Sequence, residues 1–207
     1  MIYLYAIVDA PVADWTWVHA GGVYAVVAAR EKEITIDETA VREHDAAVRE
    51  IEARVGAILP VRFGTAVRDD AELESLIAPR AKLLADALAL VAGRAQMTVR
   101  LFSDERAAAG AGAQPSAGAS GTQYLEERAR AAKMPELDFA RAALGKWIQA
   151  ERVERHATPP LVGSAYHLVA RADVEAYAAA ARQIAAAKFR VAVSGPFPPY
   201  AFAPVLA

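Results

Sequence analysis

The sequence predicts an α+β protein built in two parts. Three observations carry this. Two short continuous apolar runs, residues 2–8 (IYLYAIV) and 23–29 (VYAVVAA), suit strands buried on both sides. Two apolar stripes of helical spacing follow, one on each side of the stretch Leu59-Pro60-Val61-Arg62-Phe63-Gly64-Thr65. From Met97 onward, strand-like and helix-like patterns alternate as strand–helix–strand–helix–strand.

Between the first two strands, Asp9 to Gly22 holds Pro11, Trp15, Trp17 and Gly21-Gly22. The stretch is too long for a tight hairpin and reads as an irregular or helical excursion. Trp15 and Trp17 would share a face on a strand. Core packing is their expected role, with a ligand platform as the alternative. Thr35-Ile36-Asp37-Glu38 matches the capping box that opens helices. Val41, His44, Val48, Ile51, Val55 and Ile58 then recur at spacings of three and four, which predicts one helix running to Pro60. Pro60 lacks an N–H and pushes Leu59 out of helical geometry. Val61 and Phe63 are then expected on one face of a short extended segment and Arg62 on the other, with Gly64 as a pivot. His44, on the apolar stripe, reads as a satisfied core residue, since nothing nearby completes a metal set. His19, His156 and His167 are scattered without ligand spacing.

Asp69-Asp70-Ala71-Glu72 opens the next helical pattern, which runs to about Ala92. Pro79 divides it, and Gly93 suits a C-terminal cap. Leu73, Leu76, Ile77, Leu83, Leu84, Leu88 and Val91 supply its apolar face. Met97 to Phe102 alternates as a strand. Residues 107–121 (AAAGAGAQPSAGASG) are small and glycine-rich and read as a mobile linker, either at a domain boundary or as a loop inside the second domain. A charged helix is expected from Thr122 to Lys133. A second helical stripe through Leu137, Ala140, Leu144, Trp147 and Ile148 is expected to continue to Arg155. Thr158-Pro159-Pro160 ends it. Residues 164–171 form a strand, Asp173 caps a helix through Lys188, and residues 189–194 form the last strand. These are the pieces of a ferredoxin-like α/β sandwich, with its fourth strand not evident. The expected division is an N-terminal α+β domain over residues 1–94 and a C-terminal ferredoxin-like domain over 95–207.

Composition narrows the function classes. The 207 residues contain no cysteine, so disulfides and thiolate metal sites are excluded. The net charge is −2 with interspersed signs, and no basic stripe could follow a phosphate backbone, so a nucleic-acid partner is not expected. No apolar run approaches the ~20 residues of a membrane span. The N-terminus lacks the basic and apolar regions of a signal peptide, and a cytoplasmic protein is the expectation. No phosphate-binding loop, G-x-S-x-G or H-E-x-x-H motif occurs. No cofactor is expected.

The last strand leads into Gly195-Pro196-Phe197-Pro198-Pro199-Tyr200-Ala201-Phe202. Three prolines predict a stiff, extended segment. Its aromatic side chains each carry about 150–250 Å² of surface to bury, either within the fold or against another protein.

With LPVRFGT at 59–65 and GPFPPYAF at 195–202, the chain resembles the gas vesicle proteins of the GvpF/GvpL family. The opening IYLYAIV, His44, Gly121-Thr122-Gln123-Tyr124-Leu125 and AYHLV at 165–169 support the resemblance, in the family's order along the whole chain. Phe197 stands where a tryptophan is frequent, and the chain stops soon after the last motif. The resemblance implies an N-terminal α+β domain, a ferredoxin-like C-terminal domain and a non-enzymatic role. That role is an accessory or minor component of the gas vesicle, within the cytoplasm, which binds the hydrophobic shell subunit and assists its nucleation and assembly. Other gas vesicle accessory proteins are further candidate partners. The residues assigned to partner contact are Arg62, Phe63, Phe197, Tyr200 and Phe202. The alternative is a small-molecule-binding or enzymatic ferredoxin-like protein, and a third reading is a structural component retained in the finished vesicle.

Overall fold

The computed structural model describes residues 1–31, 36–103, 134–184 and 188–206. Thr35, the linker at 107–121, the helix expected from Thr122 to Lys133 and the GTQYL stretch lie outside the described residues. The chain forms two compact units, Met1–Ala95 together with Phe197–Ala207, and Gln96–Pro196. The expected C-terminal domain therefore loses its last residues: the segment from Phe197 onward groups with the first unit, because its apolar side chains Phe202 and Leu206 are buried there.

The first unit is a sheet with helices. Its strands are β1 (Ile2–Val8), β2 (Thr16–Ala20), β3 (Val23–Ala29), β4 (Ile58–Pro60) and β5 (Ala66–Val67). The order is β2-β3-β1-β4, with β5 also pairing β1 and every pairing antiparallel. A sheet centre must be apolar on both faces, and IYLYAIV meets that demand. A register shift between Leu4 and Ala6 sends Tyr3, Tyr5, Ala6 and Val8 to one face, while Leu4 and Ile7 take the other. The expected excursion between Asp9 and Gly22 instead contains β2, which turns back into β3 through the two-residue turn Gly21-Gly22. Trp17 lies on this edge strand and is 40% exposed, so it is not the core residue expected; Trp15 is half-buried.

Helix α1 (Glu38–Glu52) covers the face that carries Tyr3 and Tyr5, with His44, Val48 and Ile51 buried. Its N-cap is Asp37, whose carboxylate accepts the Ala40 N–H at 2.8 Å. The cap thus falls two residues later than the expected capping box. The helix stops at Glu52 rather than Pro60. Ile58 keeps its apolar spacing but leaves the helix, because β4 must pair with β1 through Ala6↔Pro60, Ile7↔Leu59 and Val8↔Ile58. A proline is tolerated there because β4 ends the strand order. Helices α2 (Asp70–Ile77) and α3 (Ala81–Val91) are separated by a 3-10 turn at Ala78–Arg80, as Pro79 predicts. Asp69 caps α2 by accepting the Glu72 N–H at 2.9 Å. Gly93 follows α3 with a positive φ. Leu73, Ile77, Leu84, Leu88 and Val91 are buried, whereas Leu83 is 54% exposed and leaves the expected apolar face.

In the second unit, β6 (Arg94–Ser103), β7 (Ala150–Arg155), β8 (Leu161–Ala170) and β9 (Phe189–Phe197) form a sheet of order β7-β8-β6-β9. Helices α4 (Asp138–Leu144) and α5 (Val174–Ala181) bury Leu137, Ala140, Leu144, Tyr177 and Ala181 with Val99 and Leu101 of the sheet. This is the ferredoxin-like arrangement. The fourth strand is β7, in the stretch expected to be helical to Arg155. Its sequence AERVER is dominated by charges because β7 is an edge, and only Val153 and the paired Glu151 turn inward. Asp173 makes no capping hydrogen bond and sits in a 3-10 turn; α5 ends at Ala181. Gly195 has φ +124°, and a Cβ there would stand 2.8 Å from the Gln96 carbonyl oxygen, so β9 approaches β6 this closely only with glycine.

Candidate functional site

The site begins with a turn. Val61 donates its N–H to the Tyr5 carbonyl at 2.9 Å, which extends the β4 pairing by one residue. Arg62 to Thr65 then form a type II turn: the Thr65 N–H reaches the Arg62 carbonyl at 3.2 Å, and Gly64 supplies the positive φ of 86°. The Thr65 hydroxyl donates to the same carbonyl at 2.8 Å. The expected extended segment is therefore only one residue long beyond Pro60. The turn presents Arg62 and Phe63 outward, with Arg62 exposed and Phe63 half-buried.

His44 of α1 locks this turn from beneath. Its Nε2 lies 3.0 Å from the Val61 carbonyl, which can only accept, so Nε2 carries the proton. Nδ1 then accepts from the Tyr3 hydroxyl at 2.7 Å, and that hydroxyl accepts the Gly64 N–H at 3.4 Å. Burial holds His44 below the ordinary histidine range, although the Val61 carbonyl acts against the shift. Burial also pushes the Tyr3 phenol up. His44 stacks on Tyr5 with centroids 5.7 Å apart, and Phe63 meets its ring edge-on at the same distance. Arg30 donates to the Tyr5 hydroxyl at 3.3 Å and lies over the Tyr3 ring. His44 is thus a satisfied core histidine, as expected, and its work is to hold the LPVRFGT turn.

The C-terminal segment comes to the same place. It is not extended throughout: the Tyr200 N–H reaches the Pro198 carbonyl at 2.8 Å and a 3-10 turn follows over Tyr200–Phe202. Phe202, 2% exposed, is an anchor in the core of the first unit and is closed to a partner. Phe197 lies under the Arg49 guanidinium, 5.6 Å from its centroid. Tyr200 remains 36% exposed, and burial of its phenol, followed by the Asp45 charge, raises its pKa.

Two hollows meet at Phe63 and Tyr200. One, of about 640 Å³, runs along α1 past Val41, Ala46 and Arg49. The other, of about 370 Å³, lies between the turn at Pro60–Thr65 and the segment Ala203–Leu206. Both are open and largely apolar. Val41 and Val205 are exposed large aliphatics beside them, 43% and 78%. Of the five residues assigned from sequence, Arg62, Phe63 and Tyr200 come together at this groove. Phe197, the last residue of β9, lies against Arg49 of α1, and Phe202 is buried. Val41, Ala46 and Val205 were not assigned; the available signal was Val41, an apolar-stripe residue ahead of the turn of α1 that reaches the core.

The second unit holds a buried polar chain. The Tyr177 hydroxyl lies 2.6 Å from His167 Nδ1, His167 Nε2 lies 3.0 Å from Glu151, and Glu151 accepts two bonds from Arg141 Nε at 3.1 and 2.9 Å. Arg141 also donates to Asp138 and to the Met134 carbonyl. Burial pushes the Glu151 carboxyl up, but the bonds from His167 and Arg141 outweigh it and hold the group at about 2. Every member is occupied by its neighbours, which marks the chain as a brace between α4, α5 and β7–β8. Among the described residues no group of three or more acidic, histidine or cysteine side chains could hold a metal, and no helix is long and apolar enough to cross a membrane.

A family model described as gas vesicle synthesis protein GvpL/GvpF matches residues 1–204. Gas vesicle protein L from Streptomyces sp. (strain CB03234) is 28% identical over 183 residues, which cover 79% of this chain and 68% of that protein. The crystal structure of gas vesicle protein GvpF from Anabaena sp. PCC7120 superposes with a TM-score of 0.76 at 17% identity, covering 99% of this chain and 96% of that one. GvpF from Microcystis aeruginosa gives 0.73 at 18% identity, covering 99% of both. At these identities the two structures establish the fold.

Proposed function

Since the chain belongs to the gas vesicle synthesis protein GvpL/GvpF family, we propose that it is a non-enzymatic accessory or minor structural protein that binds the hydrophobic shell subunit, at the gas vesicle within the cytoplasm, and assists nucleation and assembly. The observation that carries the binding step is the open apolar groove across Phe63 and Tyr200. A shell subunit that polymerises through apolar surface needs that surface shielded beforehand. A groove walled by rigid aromatics shields it with little ordering cost on the protein's own side. An enzyme of this fold would be expected to use a closed pocket with convergent polar groups; the open apolar hollows favour docking.

The test is co-purification of the shell subunit with the wild-type chain and with Phe63→Ala/Tyr200→Ala. Aromatic anchors of this kind contribute about 2 kcal/mol or more each when truncated, so the double variant should retain less than a tenth of the bound subunit while keeping its thermal midpoint within a few degrees. Undiminished co-purification by the folded double variant would refute the groove. Quantifying the protein in washed, intact vesicles separates a retained shell component from a transient assembly factor.

A further inference from the structure

We infer that Arg62 sets the specificity of the groove: the docked apolar segment carries a side-chain carboxylate, Asp or Glu, that pairs with this guanidinium. The inference rests on the reading of the groove as a docking site for the shell subunit and adds the chemistry by which that partner is selected.

Four observations carry it. First, Arg62 is exposed and its side chain makes no hydrogen bond or ion pair among the described residues. Its contemporaries on the same unit do: Arg42, Arg49, Arg54 and Arg68 all pair with carboxylates. Second, among the described residues Arg62 is the one charged side chain lining the 370 Å³ hollow, whose other walls are Pro60, Val61, Phe63, Tyr200 and the segment Ala203–Leu206, with Thr65. Third, its backbone is fixed on both sides, by Val61 pairing with Tyr5 and His44, and by Thr65 gripping the Arg62 carbonyl with both N–H and hydroxyl. A long side chain on a fixed backbone searches a small volume, which suits a recognition residue. Fourth, an apolar segment laid into this hollow would strip water from an unpaired cation, which is unfavourable unless the segment brings an anion. To the extent that docking dries the guanidinium, a purely aliphatic segment is penalised and one bearing a carboxylate is favoured, which is discrimination by an unmet charge. A guanidinium matches a carboxylate with two parallel hydrogen bonds. The other arginines of the groove, Arg42 and Arg49 in the larger hollow, are already paired with Glu38 and Asp45, so the charge left to match suits one carboxylate better than a phosphate dianion. The N–H groups of Val61, Gly64 and Thr65 are engaged within the unit, so a chain-terminal carboxylate would find no cradle of backbone donors formed by these three.

The experiment uses the full chain and the shell subunit of the same host, co-expressed and co-purified at low and high salt. Arg62→Met keeps the length and removes the charge; Arg62→Glu reverses it; Arg62→Lys keeps it without the fork. The Met variant should bind at least tenfold more weakly than wild type and lose most of the salt dependence. The Glu variant should be weaker still, and the Lys variant intermediate. Single Asp or Glu to Arg replacements in the shell subunit should include one that restores binding to the Glu variant. Because the Arg62 side chain has no partner among the described residues, all three variants should keep the wild-type thermal midpoint. Wild-type-like binding by Arg62→Glu, or the absence of any restoring replacement, overturns the carboxylate pairing while leaving the shell-subunit reading intact. Failure of the wild-type chain to retain the shell subunit overturns that reading and this inference with it.

Discussion

Single residues in this protein matter mainly through what they hold still. His44 shows this. Its ring has both nitrogens engaged, so Tyr3→Phe leaves a buried acceptor without a donor and also frees the Gly64 N–H. The expected cost is about 1–3 kcal/mol, read as a lower urea midpoint with an unchanged slope. The pH dependence follows from the depressed pKa. Above the ordinary value of 6.5, His44 is neutral in both the folded and unfolded chain and contributes no slope. Below it, the unfolded chain takes up a proton that the folded one resists, so stability falls with pH until the folded pKa is reached, by at most about 1.4 kcal/mol per pH unit for one proton. His44→Gln should remove that slope between pH 6.5 and 5. An unchanged slope in the variant would assign it to another group.

Between residues and the whole chain stand the elements, and the second unit has two that are pinned, one by a polar contact and one by a close approach. In the second unit, Glu151 joins β7 to α4 and, through His167, to α5. Its carboxyl is held at about 2 against an ordinary 4.5, so its contribution is complete above 4.5 and is lost as the pH falls from there to 2. The shift corresponds to about 3 kcal/mol. Glu151→Gln should lose most of this at neutral pH and flatten the acid unfolding curve over that window, followed by the fluorescence of Trp147, which packs against Tyr177. Gly195→Ala should destabilise by about 1–3 kcal/mol through its backbone conformation alone, with the clash against β6 added; a calorimetric midpoint checks it. At this scale the limits of the sequence are plain. IYLYAIV, the Pro79 break and the Asp69 cap could be read directly because the forces behind them are local. β4 and β7 could not. Ile58 keeps helical spacing and AERVER looks like a charged helix face, and both become strands only because a partner strand elsewhere in the chain needs their backbone. The groove was half legible: both motifs stood out, but which aromatic faced inward depended on the 3-10 turn at Tyr200–Phe202, which proline stiffness alone does not reveal.

For the molecule as a whole, the order of the units along the chain has consequences for stability. Phe202 comes from the far end of the sequence, yet it is buried in the first unit, and Phe202→Ala should cost that unit about 3–5 kcal/mol, as for any buried phenylalanine, while leaving the acid transition of the second unit in place. Replacing Gln96–Pro196 by a short Gly/Ser linker should give a folded first unit with cooperative unfolding; a chain ending at Pro196 should not, since it lacks the buried Phe202 and Leu206. Size-exclusion chromatography and near-ultraviolet circular dichroism distinguish the two. The same arrangement governs timing during synthesis. One wall of the groove, the turn after Pro60, emerges early; the other, from Tyr200 to Leu206, is translated only after the hundred or so residues of the inserted unit have been made. An unfinished chain on the ribosome therefore carries half a cleft, and the cleft closes around nothing until the final few codons have been read.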